Sequence, residues 1–106
     1  MVETIFPLHH MRPSEALKRH RDAIRRIAES HRVCNVRVFG SAMRGTDRDN
    51  SDLDLLVEPT EKTTLLDLAA ITVELTHLLG VTVDVLTPAF LPEKFRARVV
   101  SEAQPV

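Results

Sequence analysis

One stretch constrains this chain more than any other. From Val36 an apolar run, Val36-Arg37-Val38-Phe39, meets Gly40-Ser41-Ala42-Met43-Arg44-Gly45; a polar connection, Thr46 to Ser51, then leads into Asp52-Leu53-Asp54-Leu55-Leu56-Val57. The first run reads as a buried strand, Gly-Ser as a tight turn, and the last run as a second strand that opens with two carboxylates. Strand side chains alternate, so Asp52 and Asp54 share one face while Leu53, Leu55 and Val57 share the other. Like charges held that close raise each other's pKa unless a cation lies between them. Hard oxygen ligands favour magnesium in that place. A glycine-led turn beside such a pair suits a phosphate held between backbone and metal.

The rest of the chain limits what this site can belong to. At 106 residues the chain is long enough for one domain that buries roughly two-thirds of its unfolded surface, and we read residues 1–106 as that single domain. Its net charge of −1 argues against a nucleic-acid-binding surface, since such domains are usually strongly basic. The charge is nevertheless uneven: residues 1–48 carry +5 and residues 49–106 carry −6, with the change of sign inside the opening stretch. A basic half beside an acidic, metal-binding half suits a polyanionic ligand, although solvated helix faces give the same asymmetry. The single cysteine, Cys34, excludes an internal disulfide framework and, beside an apolar strand, reads as a small core residue. No apolar run approaches the ~20 residues of a membrane span, and no signal peptide is evident. The cytoplasm is the expected location.

Along the chain, Met1–Arg12 has no usable periodicity and reads as an N-terminal extension. His9-His10 lacks a third ligand at metal-site spacing. Ser14 is the expected N-cap of an amphipathic helix over 14–31, whose apolar side is Ala16, Leu17, Ala23, Ile24, Ile27 and Ala28. Strands follow at Cys34–Phe39 and Leu53–Glu58, with one helical turn at 41–45 between them. Thr60 or Thr64 caps a second helix, about 62–79, ended by Gly80. That helix is apolar on more than one side, so it is either well buried or a partner surface. Val81–Leu86 is the third strand, on which Asp84 is flanked by valines; a carboxylate in a central strand is costly unless paired or metal-bound. Residues 93–102 form a last helix, and Ala103–Val106 a tail. The second and third strands frame a βαβ unit and should lie parallel. If they are neighbours, Asp84 joins Asp52 and Asp54. The short link between the first two strands predicts an antiparallel pair.

Gly40-Ser41, then Asp52-Leu53-Asp54, then Asp84 on a later strand together resemble the signature of the DNA polymerase β-like nucleotidyltransferase superfamily. The wording of Phe39–Gly45, Ser51–Val57 and Val83–Pro88 is closest to its minimal nucleotidyltransferase group, and the resemblance covers about residues 14–106. It implies an α/β (α+β) nucleotidyltransferase fold, a small mixed sheet of about three strands with helices packed on one face. It further implies ATP as substrate and two magnesium ions, with Asp52 and Asp54 holding both and Asp84 holding the catalytic one. Gly40 and Ser41 would bind the β- and γ-phosphates. Arg44 would contact the triphosphate or, as readily, pair with Asp47 or Asp49.

Members of the minimal group resemble antitoxins that transfer AMP to a tyrosine of a helical HEPN ribonuclease toxin. By this resemblance the chain would be a magnesium-dependent protein adenylyltransferase acting on such a partner; its charge and hydropathy give no reason to expect a membrane or direct nucleic-acid ligand, and a homo- or hetero-oligomer stays open. It contains no Tyr and no Trp, so an acceptor tyrosine must come from elsewhere. Two alternatives remain open: a non-catalytic module that neutralises its partner by contact, and a transferase acting on a small molecule or RNA.

Overall fold

The computed structural model describes residues 11–106; His9-His10 and most of the N-terminal extension lie outside them. The described chain runs α1 (Pro13–Arg19), α2 (Arg21–Glu29), β1 (Val33–Phe39), α3 (Gly40–Arg44), β2 (Leu53–Pro59), α4 (Leu65–Leu79), β3 (Val83–Leu86), a 3-10 turn (Pro88–Phe90), α5 (Glu93–Glu102) and β4 (Gln104–Pro105). The four strands form one sheet in the order β3-β2-β1-β4. β1 and β2 are antiparallel, and β2 and β3 are parallel neighbours, with Asp54 beside Asp84 in the register. Both pairings are as expected.

One face of this sheet makes the core. Val36, Val38, Leu53, Leu55, Val57, Val83 and Val85 are buried there together with Ala16, Leu17, Ile24 and Ala28 of the first two helices and Leu68, Ile71, Leu75 and Leu79 of α4. α4 begins at Thr64, whose side chain accepts from the Asp67 N–H while the Asp67 carboxylate accepts from the Thr64 N–H. It ends at Gly80, whose left-handed φ of +71° suits glycine as the helix C-cap. None of the α5 residues is fully buried; this helix packs on the 3-10 turn, which lies against β2, and Arg96 ties it there by donating to the Pro88 and Leu91 carbonyls.

Several expectations need correction. The helix expected over 14–31 is two helices that meet at His20, each laying its apolar side on the same core. Ser14 is not the N-cap: Pro13 occupies the first turn, Arg12 is the cap position, and Ser14 sits inside the helix. Cys34 is exposed rather than buried. Asn35 takes a positive φ of +51° and the β1–β2 register slips between Cys34 and Arg37, so this bulge turns Cys34 and Asn35 outward. The tail contributes a fourth strand: Gln104 and Pro105 pair with Val38 and Arg37, and the Val106 N–H donates to the Val36 carbonyl at 3.0 Å. Proline is tolerated here because β4 is an edge strand. β3 is the other edge, so Asp84 is exposed and bears no burial cost, with Val83 and Val85 on the opposite, core-facing side.

Candidate functional site

Each expected site residue lies at one end of the sheet, where β1 finishes and β2 begins. The Leu53 N–H donates to the Thr82 carbonyl at 2.8 Å, which ties the start of β2 to the lead-in of β3. In a parallel pair, residues in register point to the same face, about 4.8 Å apart. Asp54 and Asp84 are such a pair, and Asp52 lies two residues before Asp54, in the segment that leads into β2. Asp54 is half-buried, while Asp52 and Asp84 are exposed.

The electrostatics follow from that arrangement. The Asp54 carboxyl is raised from 3.8 to about 6, first by burial, then by the charges of Asp84 and Asp52, with only Arg44 acting in the opposite direction. The charges of Asp84 and Asp52 acting on Asp54 are an unfavourable arrangement that a divalent cation relieves. The donor set is all carboxylate oxygen, which suits magnesium. Among the described residues no three such side chains already stand within gripping distance of one ion. Asp52 and Asp84 are both exposed.

Gly40 stands against this cluster. Its φ is +75°, and a Cβ built there would lie 2.5 Å from Asp54 Oδ2. The left-handed φ favours glycine, and a Cβ here would also force the Asp54 carboxylate to shift. Ser41 follows in the first turn of α3, and its carbonyl accepts from the Thr46 N–H at 3.0 Å, so the turn closes directly after Gly45. Arg44 is exposed at the end of α3. Asp47 is not its partner, since that carboxylate is taken by Arg12, and among the described residues Arg44 forms no ion pair. Its charge reaches the cluster as the influence that lowers Asp54.

From the sequence, Asp47 is only a candidate partner of Arg44. Its side chain has no solvent exposure; Oδ2 accepts from the Ser14 N–H at 2.7 Å and Oδ1 from Arg12 Nη2 at 3.1 Å. Burial would push its carboxyl up, but the Ser14 and Arg12 hydrogen bonds outweigh that and hold it below 3.8. No local pattern marks a carboxylate whose partners stand over 30 positions upstream.

Comparison with known proteins identifies relatives of this arrangement. The sequence profile described as "Nucleotidyltransferase domain" matches residues 17–106. A Methanocaldococcus jannaschii protein named "Putative protein adenylyltransferase" is 40% identical over 77 residues, which is 73% of this chain and 83% of that protein. A second protein of the same name and organism is 33% identical over 73 residues, 69% of this chain and 71% of the relative. Among solved structures, one titled "Structure of putative minimal nucleotidyltransferase" superposes with a TM-score of 0.79 at 43% identity, covering 88% of this chain and 95% of that one. A chain from a crystal structure of a toxin-antitoxin with AMP-PNP shares the fold, with a TM-score of 0.68 at 20% identity over 79% of this chain and 69% of that one.

Proposed function

This chain belongs to the nucleotidyltransferase domain family, and we propose that it transfers AMP from ATP to a hydroxyl of a partner protein. The acceptor in this reading is a tyrosine of a HEPN-type ribonuclease toxin, which the chain thereby inactivates as an antitoxin. The observation that carries the reading is the juxtaposition of Asp54 with Asp84 in register and with the Gly40 backbone. A carboxylate cluster of that kind beside a glycine-serine turn holds a metal-bound triphosphate next to an attacking group. The names of the two archaeal relatives support a protein acceptor, and the fold shared with a toxin-antitoxin component supports the setting.

Asp52, Asp54 and Asp84 would hold two magnesium ions, which when bound neutralise the attacking and leaving oxygens of an in-line displacement. Gly40 admits the phosphates close to the backbone, and Ser41 offers its N–H and hydroxyl to the β- and γ-phosphates. Arg44 places a positive charge on the same side. Asp84 Oδ accepts the proton of the acceptor hydroxyl as its oxygen bonds to the α-phosphorus. The bond from the α-phosphorus to its bridging oxygen breaks, and pyrophosphate leaves. A cleft lined by Asn50, Ser51, Val81 and Thr82 lies beside the segments that lead into Asp52 and Asp84. The resulting phosphodiester on the acceptor adds negative charge, which would disable a ribonuclease site built to bind RNA phosphates.

A second reading rests on α4. Leu65 (68% exposed), Leu66 (81%), Val73 (66%) and Leu78 (44%) put a large apolar area in solvent. Such a surface serves docking, and docking alone can neutralise a toxin. Incubation with the co-purified partner, labelled ATP and magnesium separates the two. Label on the partner, lost in Asp54→Ala, supports transfer. An unlabelled partner that is still inhibited establishes contact neutralisation instead. Label recovered in a small-molecule or RNA fraction changes the acceptor.

A further inference from the structure

Between Arg44 and Asp52, Gly45, Thr46, Arg48, Asp49 and Asn50 are exposed, whereas Asp47 is buried. A fully desolvated carboxylate in a polar surface loop is unfavourable unless it is fully compensated. Here the compensation comes from the start of α1. The Ser14 N–H is one of the donors that a first helical turn leaves without an intrahelical acceptor, and it meets Oδ2; the Arg12 guanidinium supplies the counter-charge at Oδ1. Asp47 therefore works as an N-cap delivered from another part of the chain.

Its position gives that cap a second consequence. The loop bridges the two halves of the site, since α3 with Ser41 lies on one side of it and Asp52 on the other. At its far end the Arg48 N–H donates to Ser51 Oγ at 2.8 Å, and at its near end the Thr46 N–H closes on the Ser41 carbonyl. Those bonds are internal to the loop. Among the described residues, the side-chain bonds at Asp47, with a longer one from Arg12 Nη2 to the Gly45 carbonyl at 3.5 Å, are what fasten this bridge to the body of the domain.

We infer that Asp47 is a positioning residue for the site: clamped by Arg12 and Ser14, it fixes the spacing between the phosphate-binding turn at Ser41 and the carboxylates at Asp52 and Asp54. This rests on the reading of those residues as the metal-nucleotide site. The clamp touches no ligand. It acts by holding the turn and the carboxylates in one geometry before nucleotide arrives, and small displacements at such sites have large effects.

The test is magnesium-dependent affinity for AMP-PNP, measured well below each protein's melting temperature. Asp47→Asn keeps the size and an acceptor for Ser14 but removes the charge, and Arg12→Gln removes the same ion pair from the other side together with the longer bond to the Gly45 carbonyl. Each should weaken binding roughly tenfold, as changes in groups that support a ligand shell typically do. Together they should weaken it little more than either alone, because one interaction is lost in both. Ile24→Val, in the core beneath α2, lowers the melting temperature but should leave the affinity within about twofold of wild type. Unchanged affinity in Asp47→Asn and Arg12→Gln, with a lowered melting temperature, would reduce the clamp to a structural cap and overturn the inference. Failure of the wild-type chain to bind magnesium and AMP-PNP would overturn the metal-nucleotide reading and the inference with it.

Discussion

The two faces of the sheet are built from the same strands and do opposite work. On β2, Leu53, Leu55 and Val57 turn to the helices and are fully buried, while Asp54, Leu56 and Glu58 turn the other way. On β3 the division repeats, with Val83 and Val85 inward and Asp84 outward. β1 contributes Val36 and Val38 to the core and Arg37 to the outer face, where Arg37 is buried and paired with Glu58. One face is apolar throughout. The other gathers charge, compensated at Arg37–Glu58 and uncompensated at Asp54–Asp84. The difference teaches that stability and chemistry are separated here by a two-residue period rather than by region, so neighbouring substitutions on β2 should have unlike effects.

The largest expected effect lies on the core face. Leu55→Ala should lower unfolding free energy by roughly 2–5 kcal/mol, as burying a cavity in a close-packed core does; denaturant titration measures it. Catalysis per folded molecule should change far less.

Gly40→Ala comes next and crosses between the two faces. The left-handed φ and the 2.5 Å approach to Asp54 Oδ2 must both be relieved, which costs on the order of 1–3 kcal/mol. Displacement of Asp54 should reduce transfer by roughly a hundredfold. A variant with normal turnover would show that the close approach has no part in the site.

Asp54→Asn should stabilise while it inactivates. The folded Asp54 carboxyl titrates at about 6 against 3.8 unfolded, so between those values the folded state binds the extra proton. Without metal, stability should therefore fall as pH rises from about 4 through about 6, and level off above that. After allowance for solvent screening of a half-buried group, the difference is of order 1 kcal/mol. Thermal melts in chelator at pH 5 and pH 8 should show this fall in the wild type and its loss in Asp54→Asn. Equal pH dependence in the two proteins would mean that neither burial nor the neighbouring carboxylates raise the Asp54 carboxyl.

The smallest effect on the fold should come from the outer side of α4. Leu66→Lys, at a position 81% exposed, should change stability by no more than about 0.5 kcal/mol. It should nevertheless weaken capture of the partner if that face docks. Unchanged partner binding would remove α4 from the interface.

The alternation that separates the two faces was legible in the sequence. Asp52-Leu53-Asp54-Leu55 leaves only one way to bury leucines on a strand, and Gly80 ends α4 by local chemistry alone, whereas its start, open in the sequence between Thr60 and Thr64, falls at Thr64. The remainder depended on partners distant in the chain. The bulge at Asn35 exposes Cys34, yet the apolar residues around that cysteine read as core. Gln104-Pro105 has no strand pattern and becomes one because β1 offers a free edge. The bend at His20 has neither glycine nor proline to announce it. Asp47 looked like any loop carboxylate because its hydrogen bonds come from Arg12 and Ser14. At the site, the residue types could be named from the sequence, whereas the backbone of Gly40 pressing on Asp54 needed coordinates.

On the proposed function, Asp54, half-buried beside Asp84 and Asp52, holds a metal-bound nucleotide. Calorimetric titration of AMP-PNP into the wild-type chain and Asp54→Asn, each with magnesium and with chelator, tests it most directly. The account predicts binding by the wild type that requires magnesium, and none by Asp54→Asn despite its higher melting temperature. Equal binding by both proteins, or binding by the wild type that ignores magnesium, would contradict it.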